Sequence, residues 1–143
     1  MNFDALALHP YSGTRAPDDC ADTQWSFACA IDAARSMMLH EGDPKPIYLT
    51  EFGWSTYGGQ GGVSEDAQMQ FLQAALAALE VRDFVTAVAW YTLVDTTFPL
   101  PPDMVHDNDF GLFTTAHRAK PAAVWLQSLR TDMRKIFLPL SAR

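Results

Sequence analysis

No apolar run in these 143 residues is long enough to cross a bilayer, and Met1-Asn2-Phe3-Asp4 has neither the basic start nor the apolar stretch of a signal peptide. The chain is expected to be soluble, either inside the cell or with a leader missing from its start. Positive charge is scarce as well: 10 Lys and Arg face 17 Asp and Glu, for a net charge of -7 and a pI near 4.8. Nucleic acid and an anionic membrane surface would both be repelled, so neither is expected as a partner, and a neutral ligand is. Cysteine is nearly absent. Cys20 and Cys29 are too few for a disulfide framework and lack metal-site spacing, so both read as ordinary residues, and no metal or cofactor is expected. No disordered tract interrupts the chain, and with 48% hydrophobic residues it has enough apolar matter for a single domain over residues 1–143.

What is present falls into three similar units. Phe3 to Leu8 reads as a strand ended by His9-Pro10-Tyr11, and a polar, turn-rich loop follows to Asp22. From about Thr23 the spacing of Phe27, Ile31, Ala34 and Met38 predicts a helix that Gly42 and Pro44 end. The second unit is an unbroken apolar strand, Ile47-Tyr48-Leu49, running into Thr50-Glu51-Phe52-Gly53-Trp54. A Gly-rich loop and a helix come next, the helix opened by Ser64-Glu65-Asp66 and striped by Met69, Leu72, Leu76 and Leu79. The third is Phe84 to Val94, closed by Asp95; a long loop from Thr96 to Lys120 follows, then a helix from Pro121 striped by Leu126, Leu129, Met133 and Ile136. Three consecutive βα units predict an α/β fold with a parallel sheet and right-handed crossovers.

In such folds ligands gather at the carboxyl ends of strands. The first strand delivers His9 and Tyr11 there, the second Glu51 and Trp54, and the third Trp90, Tyr91 and Asp95. A carboxylate beside hydrogen-bonding His and Tyr, with Trp faces nearby, suits a sugar: rings cover the C–H faces of a pyranose while polar groups hold its hydroxyls. Glycosidases need two carboxyl groups, one of which is the nucleophile in retaining enzymes, and Glu51 suits that role.

These stretches resemble strands six, seven and eight of a retaining (β/α)8-barrel glycoside hydrolase, of the large clan that includes cellulases, mannanases and β-xylosidases. Phe110-Gly111-Leu112 and Lys120-Pro121-Ala122 resemble that clan's closing stretch. The resemblance implies Glu51 as nucleophile, His9 and Tyr11 beside it, Trp90 lining the sugar subsite and an oligo- or polysaccharide substrate. It also implies a partial barrel. The clan's acid/base is a glutamate following asparagine on strand four, and no Asn-Glu pair occurs in this sequence. Leu6, Leu49 and Val88 are then expected on an inner face left open by missing strands, and self-association through exposed sheet edges is expected to cover it. The alternative is a carbohydrate-binding or structural module without turnover.

Other motifs carry less. Gly58-Gly59-Gln60-Gly61-Gly62 lacks the Gly-Lys-Ser/Thr ending of a phosphate loop, and the acids after Ser64 would repel phosphate. Asp109-Phe110-Gly111 spells a kinase metal motif without the rest of a kinase. Asp103, His106, Asp107 and Asp109 read as a solvated acidic loop, since calcium-loop spacing is missing, and Trp25 and Trp125 read as core or interface residues.

Overall fold

The computed structural model describes residues 3–22 and 25–132. Strands β1 (Leu6–Leu8), β2 (Ile47–Phe52) and β3 (Val85–Trp90) alternate with helices α1 (Phe27–His40), α2 (Glu65–Glu80) and α3 (Pro121–Asp132). The sheet is parallel throughout in the order β1-β2-β3. Right-handed crossovers between neighbouring parallel strands put the connecting helices on one face.

That arrangement explains which strand positions are apolar. Ile47, Leu49 and Phe52 are 2% exposed or less and join Phe27, Ile31, Leu72 and Ala75 in one core. The opposite phase of the pleat is wetted: Ala7, Tyr48 and Ala87 are aligned in register and all three are exposed. The expectation for the inner face is therefore corrected. Leu49 faces the helices, Leu6 packs against the same core, and Val88, paired with Leu49, is 45% exposed on an edge strand. Small or amphipathic residues occupy the open face instead.

Element boundaries follow hydrogen bonding more closely than composition. Phe3 lies outside β1, with the Lys45 ammonium 4.4 Å from its ring centroid, and the ladder starts where the Leu6 N–H donates to the Pro46 carbonyl. Helix α1 begins at Phe27, not Thr23, which lies outside the described residues as do Gln24, Met133, Ile136 and the tail 137–143. Ser26 provides no side-chain cap; the Ala28 N–H donates to the Pro17 carbonyl at 3.0 Å, so the preceding loop closes the helix start. A disulfide between Cys20 and Cys29 fastens the same junction, which corrects the view of both as ordinary residues: the loop folds back on the helix and brings their Cα atoms to 5.8 Å.

Helix α2 follows its sequence signals, with the Ser64 hydroxyl accepting from the Ala67 N–H at 3.1 Å. Strand β3 ends at Trp90, short of Val94, because the chain leaves β2 there. Thr92 donates to the Phe110 carbonyl, Leu112 and Phe113 donate back to Leu93, and Val94 bridges Phe113. The Tyr91–Thr92 peptide bond is cis. The long loop holds a short 3-10 helix at Val105–Asp109, and Asn108 ties it down through Thr96 and Phe98.

Candidate active site

Glu51 stands one residue before the end of β2, and Gly53 is what lets the neighbouring strand close over that end. A Cβ at Gly53 would collide with the Tyr91 carbonyl, which explains the glycine in Thr-Glu-Phe-Gly-Trp. From the end of β1, the Tyr11 hydroxyl donates to Glu51 Oε2 at 2.9 Å. His9 Nδ1 lies 3.6 Å from the same oxygen, and its Nε2 is 2.8 Å from the Thr50 hydroxyl. Thus His9 and Tyr11 meet Glu51, 40 residues or more further along the sequence, at one sheet edge. Burial, first, and the hydrogen bond and charge of Glu51 hold the Tyr11 phenol far above its ordinary ionisation range, so it remains a donor.

A cavity of about 450 Å³ opens beside this carboxylate. Tyr11, Glu51 and Tyr91 line it from the strand ends, and Trp25, His106, Asp107 and Phe110 line it from loops, together with Gly13 and Gly61. Tyr11, Tyr91 and Phe110 meet edge to face, with centroids 5.6 to 6.4 Å apart. Trp25 precedes α1 and is 55% exposed, which corrects its placement on a helix and in the core: it is an aromatic face on the cavity. His106 and Asp107, taken in the sequence for part of a solvated loop, also reach the cavity.

Two residues expected at the sugar surface are interior instead. Trp54 is 1% exposed, packed between Phe27, Phe52 and Phe71, with its indole N–H donating to the Ser12 hydroxyl and the Arg15 carbonyl. It props the loop after β1 against the end of β2. Asp95 is buried beneath Lys120, whose ammonium lies 2.8 Å from Asp95 Oδ1 and also donates to the Thr56 hydroxyl and the Asp109 carbonyl. The same Asp95 oxygen accepts the Gly111 N–H at 2.8 Å, so its role is to pin the long loop. Trp90 is partly buried against Phe52 and Trp54, its indole N–H donating to the Phe110 carbonyl at 3.1 Å; neither it nor His9 is part of the cavity lining. Burial raises the Asp109 carboxyl above its ordinary range, with the Asp95 charge adding to it. Among the described residues no group of three or more His, Cys, Asp or Glu could hold a metal ion.

Residues 1–115 match the family model described as glycosyl hydrolase catalytic core. A search of curated proteins found no match. Among solved structures, the Faecalibacterium prausnitzii β-glucuronidase superposes with a TM-score of 0.65 at 21% identity, over 94% of this chain and 23% of that one. The Dictyoglomus thermophilum β-D-glucuronidase gives 0.69 at 18% identity, again over 94% and 23%. A Bifidobacterium dentium β-glucuronidase complexed with coumarin-3-O-glucuronide gives 0.64 at 21%, over 91% and 21%. The chain thus spans less than a quarter of the length of these structures, and its open sheet with helices on one face is a partial barrel.

Proposed function

Because this chain belongs to the glycosyl hydrolase catalytic core family, we propose that it carries the nucleophile of a retaining glycosidase, Glu51. The observation that supports this most is the 2.9 Å hydrogen bond from Tyr11 to Glu51 at the mouth of an aromatic-lined cavity. In this mechanism a Glu51 oxygen attacks the anomeric carbon and forms a glycosyl ester while the bond to the leaving oxygen breaks, that oxygen taking a proton from a second carboxyl group. Water then cleaves the ester and returns Glu51 to its starting state. Tyr11 and His9 position the carboxylate, and Tyr91, Phe110 and Trp25 supply faces for the sugar.

The acid/base belongs to strands outside this sequence, and the whole enzyme is the larger barrel of which this is the carboxyl-terminal part. General acid assistance contributes about 10² to 10⁴ in rate, so the isolated chain is expected to turn over aryl glycosides slowly or not at all. The test is hydrolysis of an aryl glucoside, xyloside and mannoside by this chain and by Glu51→Gln. Slow release that disappears in the variant supports the nucleophile assignment; measurable release at equal rates in both removes it. Binding of these glycosides without release would favour a carbohydrate-binding module.

We also infer that the chain self-associates through its sheet. Edge strands β1 and β3 each lack a second neighbour among the described residues, and unpaired backbone groups on such edges favour pairing with another copy.

A further inference from the structure

Two carboxyl groups, Glu51 and Asp107, line the cavity, and among the described residues no Lys or Arg lines it. Two cations of the neighbouring loop are engaged elsewhere: Lys120 is buried on Asp95, and Arg118 holds Glu65 at 2.6 Å. Asp107 is itself oriented, because His106 Nε2 lies 3.3 Å from its Oδ1 while the carboxylate stays about one-third exposed, at 34%.

The backbone beneath this pair is anchored to the segment that follows β2. The Ser55 hydroxyl donates to the His106 carbonyl at 2.6 Å, and the Thr56 N–H to the Asp109 carbonyl at 2.9 Å. Gly61, at φ +96°, brings the Gly-rich loop against the His106 imidazole from another direction. The charge of Asp107 is felt at Tyr11, where it adds to the larger effects of burial and Glu51. Asp107 and Glu51 therefore act on one ligand volume.

We infer that Asp107, oriented by His106, makes this cavity selective for uncharged pyranosides and against uronic acids. This rests on the glycosidase assignment of Glu51 and refines it to a substrate class. Sugar hydroxyls donate to a carboxylate in charge-assisted hydrogen bonds, which are roughly twice as strong as neutral ones. A sugar carboxylate at the same place would meet two like charges with no Lys or Arg among the described residues of the cavity wall, and such like-charge juxtaposition is strongly unfavourable at an interface. The selectivity differs from that named for the β-glucuronidases with which the chain shares its fold, a likeness that at about 21% identity does not carry substrate choice.

The test is ligand binding to the whole chain, read by tryptophan fluorescence, since Trp25 lines the cavity. Methyl β-glucoside, β-xyloside and β-mannoside are titrated beside methyl β-glucuronide, on wild type and on Asp107→Asn with its fold verified by circular dichroism. The expected result is that at least one neutral glycoside binds about 10-fold or more tightly than the glucuronide, and that Asp107→Asn narrows the gap. A glucuronide that binds wild type as tightly as the neutral sugars overturns the inference and leaves sugar binding beside Glu51 standing. So does a gap unchanged in Asp107→Asn. Should that variant fail to fold, the wild-type comparison decides alone. Binding of none of the four overturns the glycosidase assignment itself, and the selectivity with it.

Discussion

Tyr11 can hold Glu51 only while it keeps its proton, and burial together with the adjacent carboxylate ensures that it does across the handling range of the protein. Tyr11→Phe removes a hydrogen bond to a charged acceptor, an interaction worth about 1.5–3 kcal/mol. Whatever rate of aryl glycoside hydrolysis the wild-type chain supports should fall about 10- to 100-fold in that variant, measured as kcat/KM. An unchanged rate would mean that Tyr11 does not position the carboxylate. Lys120 is the opposite kind of residue, outside the cavity lining and buried. Lys120→Met leaves the Asp95 carboxylate interior and uncompensated, which typically costs about 3–5 kcal/mol, so the urea midpoint should drop steeply. At this scale the sequence was only partly informative. His9, Tyr11 and Glu51 were legible because each terminates a strand, and parallel strands bring their ends together. Asp95 terminates its apolar run in the same way, yet its fate was decided by a lysine 25 residues later, a pairing that no local pattern reveals.

Among the elements, β2 and α2 match their sequence signals because those signals are local: an apolar run bounded by turns, and a serine cap followed by two acids. The boundaries of β3 and α1 do not, since one is set by pairing with residues 110–113 and the other by a loop that folds back through Pro17 and Cys20. Trp25 was misjudged for that second reason: the helix starts at Phe27 and not at about Thr23, so Trp25 falls in the loop before it and becomes part of the cavity wall. Two predictions belong here. Ser64→Ala removes the side-chain cap of α2 and should cost about 1 kcal/mol in denaturant unfolding. The second concerns Glu65, whose carboxyl sits below its ordinary value of 4.5 because of the hydrogen bond from Arg118. A depressed acid contributes stability that is present above its ordinary value and disappears as pH falls through the folded value. Acid unfolding of wild type should therefore include a component below pH 4.5 that Arg118→Gln lacks; both groups are at the surface, so the component is small and weakens with salt.

At the scale of the whole molecule, the sheet has one face sealed by helices and another that presents Ala7, Tyr48 and Ala87 to water, with edge strands on both sides. Light scattering at micromolar concentration is expected to give a dimer or larger species, and a monomer with a sharp thermal transition would rule this association out. The covalent tie between Cys20 and Cys29 has a different sort of consequence, one for the surroundings in which the chain can be made. Thioredoxin and glutathione keep thiols apart in a reducing cytosol, whereas an oxidising periplasm or secretory lumen lets such a bridge close and persist. Chain produced in an ordinary bacterial cytosol should accordingly yield two titratable thiols and an untethered cavity-side loop at Trp25, while the exported chain should yield none.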